Sequence, residues 1–209
     1  PVDGVSPMQK LQMATQEGAN VEVIAIHGNF DDAQSAVKRI FTDDETRAQL
    51  DRDGMMLSSA NSINWGRLAP QIAYYVSAYC DMVKAGTIRQ GDKINVCVPT
   101  GNFGNILAAY IAKQMGLPVN KFICASNRNN VLTDFFKKDG EYNRNRDFYT
   151  TTSPSMDILI SSNLERLLFF ASDFDDRMVA ELMAKLNGEG SYKVASDVFA
   201  KIAAVFDAG

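Results

Sequence analysis

One stretch near the middle of the chain limits its fold more than any other feature. Residues 93–98 are mostly apolar and β-branched, and after two further residues they lead into a turn at residues 101–105 that contains two glycines. Residues 106–115 then carry apolar side chains at helical spacing. A strand, a tight turn and a helix in this order are typical of one unit of a parallel α/β sheet.

The same alternation extends along most of the 209 residues. We predict strands at residues 21–26, 55–57, 93–98 and 122–125. Helices are predicted at residues 7–16, 31–41, 42–53, 65–85, 106–115, 131–138, 163–171, 175–186 and 196–206, with a polar loop at 139–152. Together they indicate an α/β fold, a parallel sheet with flanking helices. Because four strands in two clusters are too few for a doubly wound sheet, we expect the rest of the sheet outside this chain.

Charge and composition exclude several classes of function. The formal net charge of -4 comes from acidic and basic residues that are mixed along the chain, so no nucleic-acid partner is expected. No segment approaches the roughly 20 apolar residues that span a bilayer, and no secretory signal precedes the first helix. We therefore expect no membrane partner.

The cysteines and the single histidine bear on metals and on compartment. Cys80, Cys97 and Cys124 are odd in number and far apart, and we interpret them as reduced core residues in a cytoplasmic protein. His27 stands without a histidine or cysteine cluster, so no metal site is expected and a structural role is favoured.

The turn at residues 101–105 has the features of a phosphate cradle. Its glycines allow a positive φ and a close backbone approach, and the helix that follows directs free N–H groups and a positive dipole end into the same space. Asn102 and Asn105 could add amide donors. The turn is neither a Walker A motif nor GxGxxG, and glycine also occurs in such turns for steric reasons alone.

Six strings of residues follow one another along nearly the whole chain, and they are residues 5–9 (VSPMQ), 27–32 (HGNFDD), 61–67 (NSINWGR), 98–105 (VPTGNFGN), 153–158 (SPSMDI) and 162–167 (SNLERL). In this order and near this spacing they resemble the threonine synthase family, in its microbial and fungal branch. Each string is modest alone, and the ordered set is specific.

The resemblance implies a fold-type-II enzyme split over two domains, which uses pyridoxal 5'-phosphate to convert O-phospho-L-homoserine and water to L-threonine and phosphate. It implies that the cofactor's phosphate is held by Gly101, Asn102, Phe103, Gly104 and Asn105. It also implies that the substrate's phosphate is held by Asn61, Ser62 and Arg67. An arginine just past a polar loop offers a planar fork for phosphate in any case, although a surface arginine paired with a carboxylate is the alternative.

The chain departs from the family pattern in what it lacks. The family's catalytic Schiff-base lysine stands in a phenylalanine-lysine-aspartate motif upstream of every string above, and no lysine here has that context. We therefore expect an internal part of a threonine synthase that is inactive alone and holds no catalytic residue. Residues 1–57 are expected to belong to the smaller domain and residues 58–209 to the larger domain, which carries the phosphate-binding turn. Oligomeric state stays open.

Other interpretations of the sequence remain at this stage. A non-catalytic phosphate- or nucleotide-binding α/β module would use the same turn, and a fragment without any ligand would use it only as a connection. A cysteine synthase or threonine deaminase would have the same fold, but usually a glycine-only loop. Glu165 and Arg166 are expected to pair with neighbouring helix ends, although the family resemblance implies that their string lies near the cleft.

Overall fold

The computed structural model describes residues 7–28 and 30–209 of this protein. Its helices, in chain order, are α1 Pro7–Ala14, α2 Phe30–Thr42, α3 Asp44–Arg52, α4 Trp65–Leu68, α5 Ile72–Lys84, α6 Gly104–Gln114, α7 Val131–Lys137, α8 Leu164–Ala171, α9 Asp176–Glu189 and α10 Ser196–Ala203. Its strands are β1 Ile94–Pro99, β2 Val119–Ala125, β3 Glu141–Asn143, β4 Ser191–Lys193 and β5 Phe206–Ala208. In these two ranges no helix is both long and apolar enough to cross a membrane.

A three-stranded parallel sheet of order β1-β2-β5 lies at the centre of the fold. Its register pairs Val98 with Cys124 and Cys124 with Ala208. Helices α6, α7 and α10 pack against it, and α6 also packs against α5 and α8. Strands β3 and β4 form a separate antiparallel pair. The predicted fold class, a parallel sheet with flanking helices, is confirmed.

An aromatic cluster fills the space between the sheet and its helices. The ring of Phe206 on β5 lies 5.1 Å from that of Phe122, 5.6 Å from Phe136 and 5.7 Å from both Phe103 and Tyr110, measured between centroids. Burial of one such ring contributes about 1.5–3 kcal/mol. The cluster fixes the sheet against α6, and with it the turn that enters this helix.

The predicted strands at residues 21–26 and 55–57 are wrong. Apart from an isolated bridge at Ile26, both segments are irregular, and Ile24 and Met56 are exposed. A strand needs neighbouring backbone to satisfy its N–H and C=O groups, and in the described residues neither segment has a strand beside it. An apolar, β-branched sequence was therefore not sufficient to make these segments strands.

Three short strands were missed by the sequence analysis. Strand β3 lies in the predicted polar loop, and β4 follows α9 in a segment left without a prediction. The predicted helix 196–206 ends at Ala203, because Phe206–Ala208 pairs with β2 instead. The predicted helix 65–85 is interrupted by a 3₁₀ turn at Ala69–Gln71, where Pro70 has no N–H to continue the helical pattern.

The cysteines divide between core and surface. Cys124 on the central strand β2 is buried, as predicted, whereas Cys80 and Cys97 are exposed, so the core prediction is wrong for those two. β1 is an edge strand, and its alternate residues Asn95, Cys97 and Pro99 face outward. Strand periodicity gives the two faces but does not say which of them is covered.

Candidate phosphate-binding site

A cleft of about 300 Å³ lies at the carboxyl end of β1. Three parts of the chain line this cleft. The first comprises residues 60–62, Arg67 and Gln71, the second residues 98–106, and the third residues 155–156. The cleft therefore brings together every residue that the sequence analysis selected for phosphate, although these come from two segments about 40 positions apart. No aspartate, glutamate or lysine is among the residues that line it.

The turn at residues 101–105, which we call the glycine turn, presents unpaired backbone donors. The N–H groups from Gly101 to Ile106 have no hydrogen-bond acceptor within the described part of the chain. The last three of them belong to the first turn of α6, where the helix dipole places partial positive charge. An anion in the cleft would meet several donors and a favourable dipole.

The glycines of the turn are required by space and not by backbone angle. A Cβ on Gly104 would lie 2.6 Å from the Cβ of Ser62, and one on Gly101 would lie 3.2 Å from the sulfur of Met156. The predicted use of the glycines for positive φ is wrong, since neither has one. The residue in the left-handed region is Phe103, with a φ of 63°.

Phe103 divides its two roles between backbone and ring. Its backbone caps α6, while its ring is 1% exposed and packs near Phe136 and Phe206. Because the ring packs in the core, a ligand in the cleft would contact Phe103 through its backbone N–H group.

The two asparagines of the turn differ in what their amides do. Asn105 Nδ2 donates to Gln71 Oε1 at 2.9 Å, and its Oδ1 accepts from the hydroxyl of Tyr75. Asn105 therefore fastens α6 to α5, and this uses one of the two N–H groups of its side-chain amide. Burial raises the pKa of Tyr75 to about 12, so this phenol stays a donor at neutral pH. Asn102 Oδ1, by contrast, is buried without a partner in the described residues.

Residues 61–64, which we call the serine loop, close the other side of the cleft. Asn61 Oδ1 accepts from Ile63 N at 3.1 Å, and Asn64 caps α4 by accepting from Gly66 N at 2.9 Å. Arg67 follows on α4 and is exposed, and its guanidinium has no carboxylate partner among the residues described. The alternative of a surface ion pair at Arg67 is thus not seen in the part of the chain that the structure describes.

Two residues that hold the cleft together were not selected from the sequence. Asn163 is fully buried, and its Nδ2 donates to both Ser62 Oγ and the carbonyl of Asn102, each at 2.9 Å. Arg166 donates to Asn163 Oδ1 at 2.8 Å, to the carbonyl of Ser62 at 3.0 Å and to that of Ile63 at 2.5 Å. These partners lie at helix starts, as predicted for Arg166, because Asn163 is the N-cap of α8 while Ser62 and Ile63 directly precede the N-cap of α4. Both residues lie in the string 162–167 of the family resemblance, which was the signal in the sequence that pointed to them.

A third unselected residue orders the remaining wall of the cleft. The Asp157 side chain is 4% exposed, and its Oδ1 accepts from Asn127, Asn129 and the Thr151 hydroxyl at 2.7, 3.0 and 2.8 Å. Its Oδ2 accepts from Thr151 N at 2.8 Å. These bonds tie the segment that carries Ser155 and Met156 to the segment that follows β2.

Comparisons with known proteins place these features in context. No family model matches the chain. Human threonine synthase-like 1 is 48% identical over 204 residues, which are 97% of this chain and 27% of that protein. The threonine synthase of Saccharomyces cerevisiae is 38% identical over 207 residues, 95% of this chain and 38% of its own length.

A solved structure agrees with the sequence relatives. The crystal structure of pyridoxal-phosphate-bound threonine synthase from Brucella melitensis superposes with a TM-score of 0.79 at 40% identity. It covers 100% of this chain and 42% of its own. This chain thus spans about a quarter to two-fifths of the length of these three proteins.

Proposed function

We propose that this chain is the phosphate-binding part of a threonine synthase, because it belongs to that family and spans less than half the length of the members compared above. The reaction would convert O-phospho-L-homoserine and water to L-threonine and phosphate, which makes the parent protein a lyase of threonine biosynthesis. Identity of 38–48% over nearly the whole chain and the common fold support this proposal.

The glycine turn would hold the phosphate of pyridoxal 5'-phosphate. The residues present fit that group, because unpaired N–H groups from Gly101 to Ile106 meet the positive end of α6 in a cleft without carboxylates. This arrangement is the observation that carries the proposal. Asn102 Oδ1 is also without a partner in the described residues, but an amide oxygen only accepts hydrogen bonds, so it could meet an N–H or O–H group of a ligand and not an ionised phosphate oxygen. When bound, pyridoxal phosphate withdraws electrons from an amino-acid substrate and so stabilises a carbanion on one of its carbon atoms.

The serine loop and Arg67 would hold the phosphate of the substrate. Arg67 offers a guanidinium fork without a competing carboxylate in the described residues, and a planar fork can bind two phosphate oxygens at once. Ser62 contributes a hydroxyl, and Asn61 has a side-chain amide at the cleft. Since Ser62 lies against Gly104, the two proposed phosphate positions are neighbours.

The proton chemistry of the reaction would come from outside this chain. No lysine lines the described cleft, and the chain holds no lysine in the context that the family uses. We propose that the chain alone binds phosphate and is inactive. Three free cysteines favour a reducing, cytoplasmic location.

The proposed domain boundary follows residue 57. Of the described side chains in residues 7–57, only that of Gln34 is buried, whereas the hydrophobic core begins at Leu68. Residues 1–57 would then belong to the smaller domain, and residues 58–209 to the larger domain.

Calorimetry with this chain tests the two phosphate assignments. Pyridoxal phosphate should bind more tightly than pyridoxal, which lacks the phosphate. Arg67→Ala should weaken O-phosphohomoserine binding by about tenfold or more, because a hydrogen bond to a charged group contributes about 1.5–3 kcal/mol. The control is Arg177→Ala on α9, an exposed arginine outside the residues that line the cleft.

The outcomes separate this proposal from its alternatives. Equal binding of pyridoxal and pyridoxal phosphate would contradict the glycine turn as a cofactor site. Binding of phosphates without any preference for pyridoxal phosphate would instead favour the non-catalytic module. Threonine formation by this chain alone would contradict the proposed absence of the catalytic lysine.

A further inference from the structure

We propose that Asn163 is a positioning residue that aims the hydroxyl proton of Ser62 at the phosphate of the substrate. This inference rests on the function proposed above and assigns a role to a residue that touches neither proposed phosphate directly. Its basis is a fully buried amide that joins the glycine turn, the serine loop and α8.

The orientation of the Asn163 side chain is fixed by its partners. Nδ2 donates to the carbonyl of Asn102 and to Ser62 Oγ, while Oδ1 accepts from the guanidinium of Arg166. Rotating the amide by half a turn would set Oδ1 against the carbonyl oxygen of Asn102 and Nδ2 against a guanidinium N–H. Both contacts would be repulsive, so the donor edge of Asn163 must face Ser62.

This donor edge determines what the Ser62 hydroxyl does. A hydroxyl has two acceptor positions and one proton. Asn163 Nδ2 uses one of these acceptor positions, at 2.9 Å. The acceptor available to the proton in the described residues is Asn61 Oδ1, at 3.5 Å, where a hydrogen bond is very weak. The proton is left for an oxygen in the cleft.

Arg166 holds the backbone of the serine loop in the matching position. Its two terminal nitrogens donate to the carbonyls of Ser62 and Ile63 at 3.0 and 2.5 Å. Backbone and side chain of Ser62 are therefore both fastened to residues at the start of α8, about a hundred positions later in the sequence.

Asn163→Asp is the sharpest test because it changes one donor to an acceptor at nearly constant shape. The new carboxylate would still pair with Arg166 but would accept the Ser62 proton and draw it away from the cleft. We expect the dissociation constant of inorganic phosphate for this chain, measured by calorimetry, to rise about tenfold or more. Asn187→Asp, which adds the same charge at an exposed position of α9, should leave it unchanged.

A double-mutant cycle separates the effect of Asn163→Asp on the direction of the Ser62 hydroxyl from the effect of its added charge. In a Ser62→Ala background the hydroxyl is gone, so the further effect of Asn163→Asp should be several-fold smaller than in the wild type. An equal effect in both backgrounds would overturn the proposal and leave the phosphate sites themselves standing. A wild-type chain that does not bind phosphate at all would overturn both.

The wild-type protein provides a second readout that does not depend on a variant folding. Phosphate that accepts the Ser62 proton should make Oγ a stronger acceptor, and the Asn163 side-chain amide resonance should shift on titration, with the dissociation constant found by calorimetry. An Asn163 resonance that stays fixed while phosphate saturates the cleft would refute the role proposed for it.

Discussion

At the scale of single residues, the glycine turn depends on how closely two segments approach. Gly104 leaves room for Ser62, and Phe103 takes the left-handed backbone that glycine would normally supply. That conformation costs a non-glycine residue about 1–2 kcal/mol. Burial of the Phe103 ring contributes a similar amount, about 1.5–3 kcal/mol, so the core holds the turn in its unusual shape.

Gly104→Ala should damage both the stability and the ligand binding of this site. Its Cβ would meet the Cβ of Ser62 at 2.6 Å, and neither atom can move without its backbone. We expect a loss of about 1–3 kcal/mol in the free energy of unfolding by urea. Phosphate binding should weaken as well, because the serine loop must shift.

Gly188→Ala is the matched control on α9. A Cβ there would meet nothing within 4 Å, and the φ of Gly188 is not positive. Alanine at such a helical site should stabilise the protein by about 0.5–1 kcal/mol. Equal effects at the two glycines would contradict the close approach of Gly104 to Ser62.

At the scale of elements, position in the sheet decides the environment of each strand residue. Cys97 and Cys124 lie on neighbouring strands, but β1 is the edge strand and β2 the central one. Cys97 is exposed, while burial raises the pKa of the Cys124 thiol to about 12. A thiol of that pKa is about one part in ten thousand thiolate at pH 8, and the thiolate is the reactive form.

Titration with a thiol reagent at pH 8 should therefore detect two fast cysteines per chain. Cys80 and Cys97 are expected to react in the folded protein, and Cys124 only after unfolding in denaturant. Cys97→Ser should remove one fast equivalent. Three fast equivalents in the folded protein would show that β2 is not the protected central strand.

At the scale of the whole molecule, stability is concentrated in the second part of the chain. Met8 and Leu11 on α1 are exposed, and so are Val37 and Ile40 on α2. The core residues all lie between Leu68 and Ala208. Segments with few buried apolar contacts open at low cost in free energy.

The chain shortened to residues 58–209 should consequently fold without the preceding part. We expect its free energy of unfolding to stay within about 1 kcal/mol of the full chain, since residues 7–57 bury only one described side chain, Gln34. Urea unfolding followed by circular dichroism measures this. A broad, non-cooperative transition would contradict a boundary near residue 57.

The sequence by itself determined the parts that depend on nearby residues. The unit β1, glycine turn and α6 follows from periodicity and turn chemistry within about 20 residues, and the ordered strings of family resemblance gave the residues that line the cleft. Tertiary structure alone decided which strands have partners, which face of β1 is covered, and that Asn163 and Arg166 fasten the serine loop. Those contacts join residues that are separated by 101 to 104 positions in the sequence, and no local sequence pattern indicates how segments so far apart will pack.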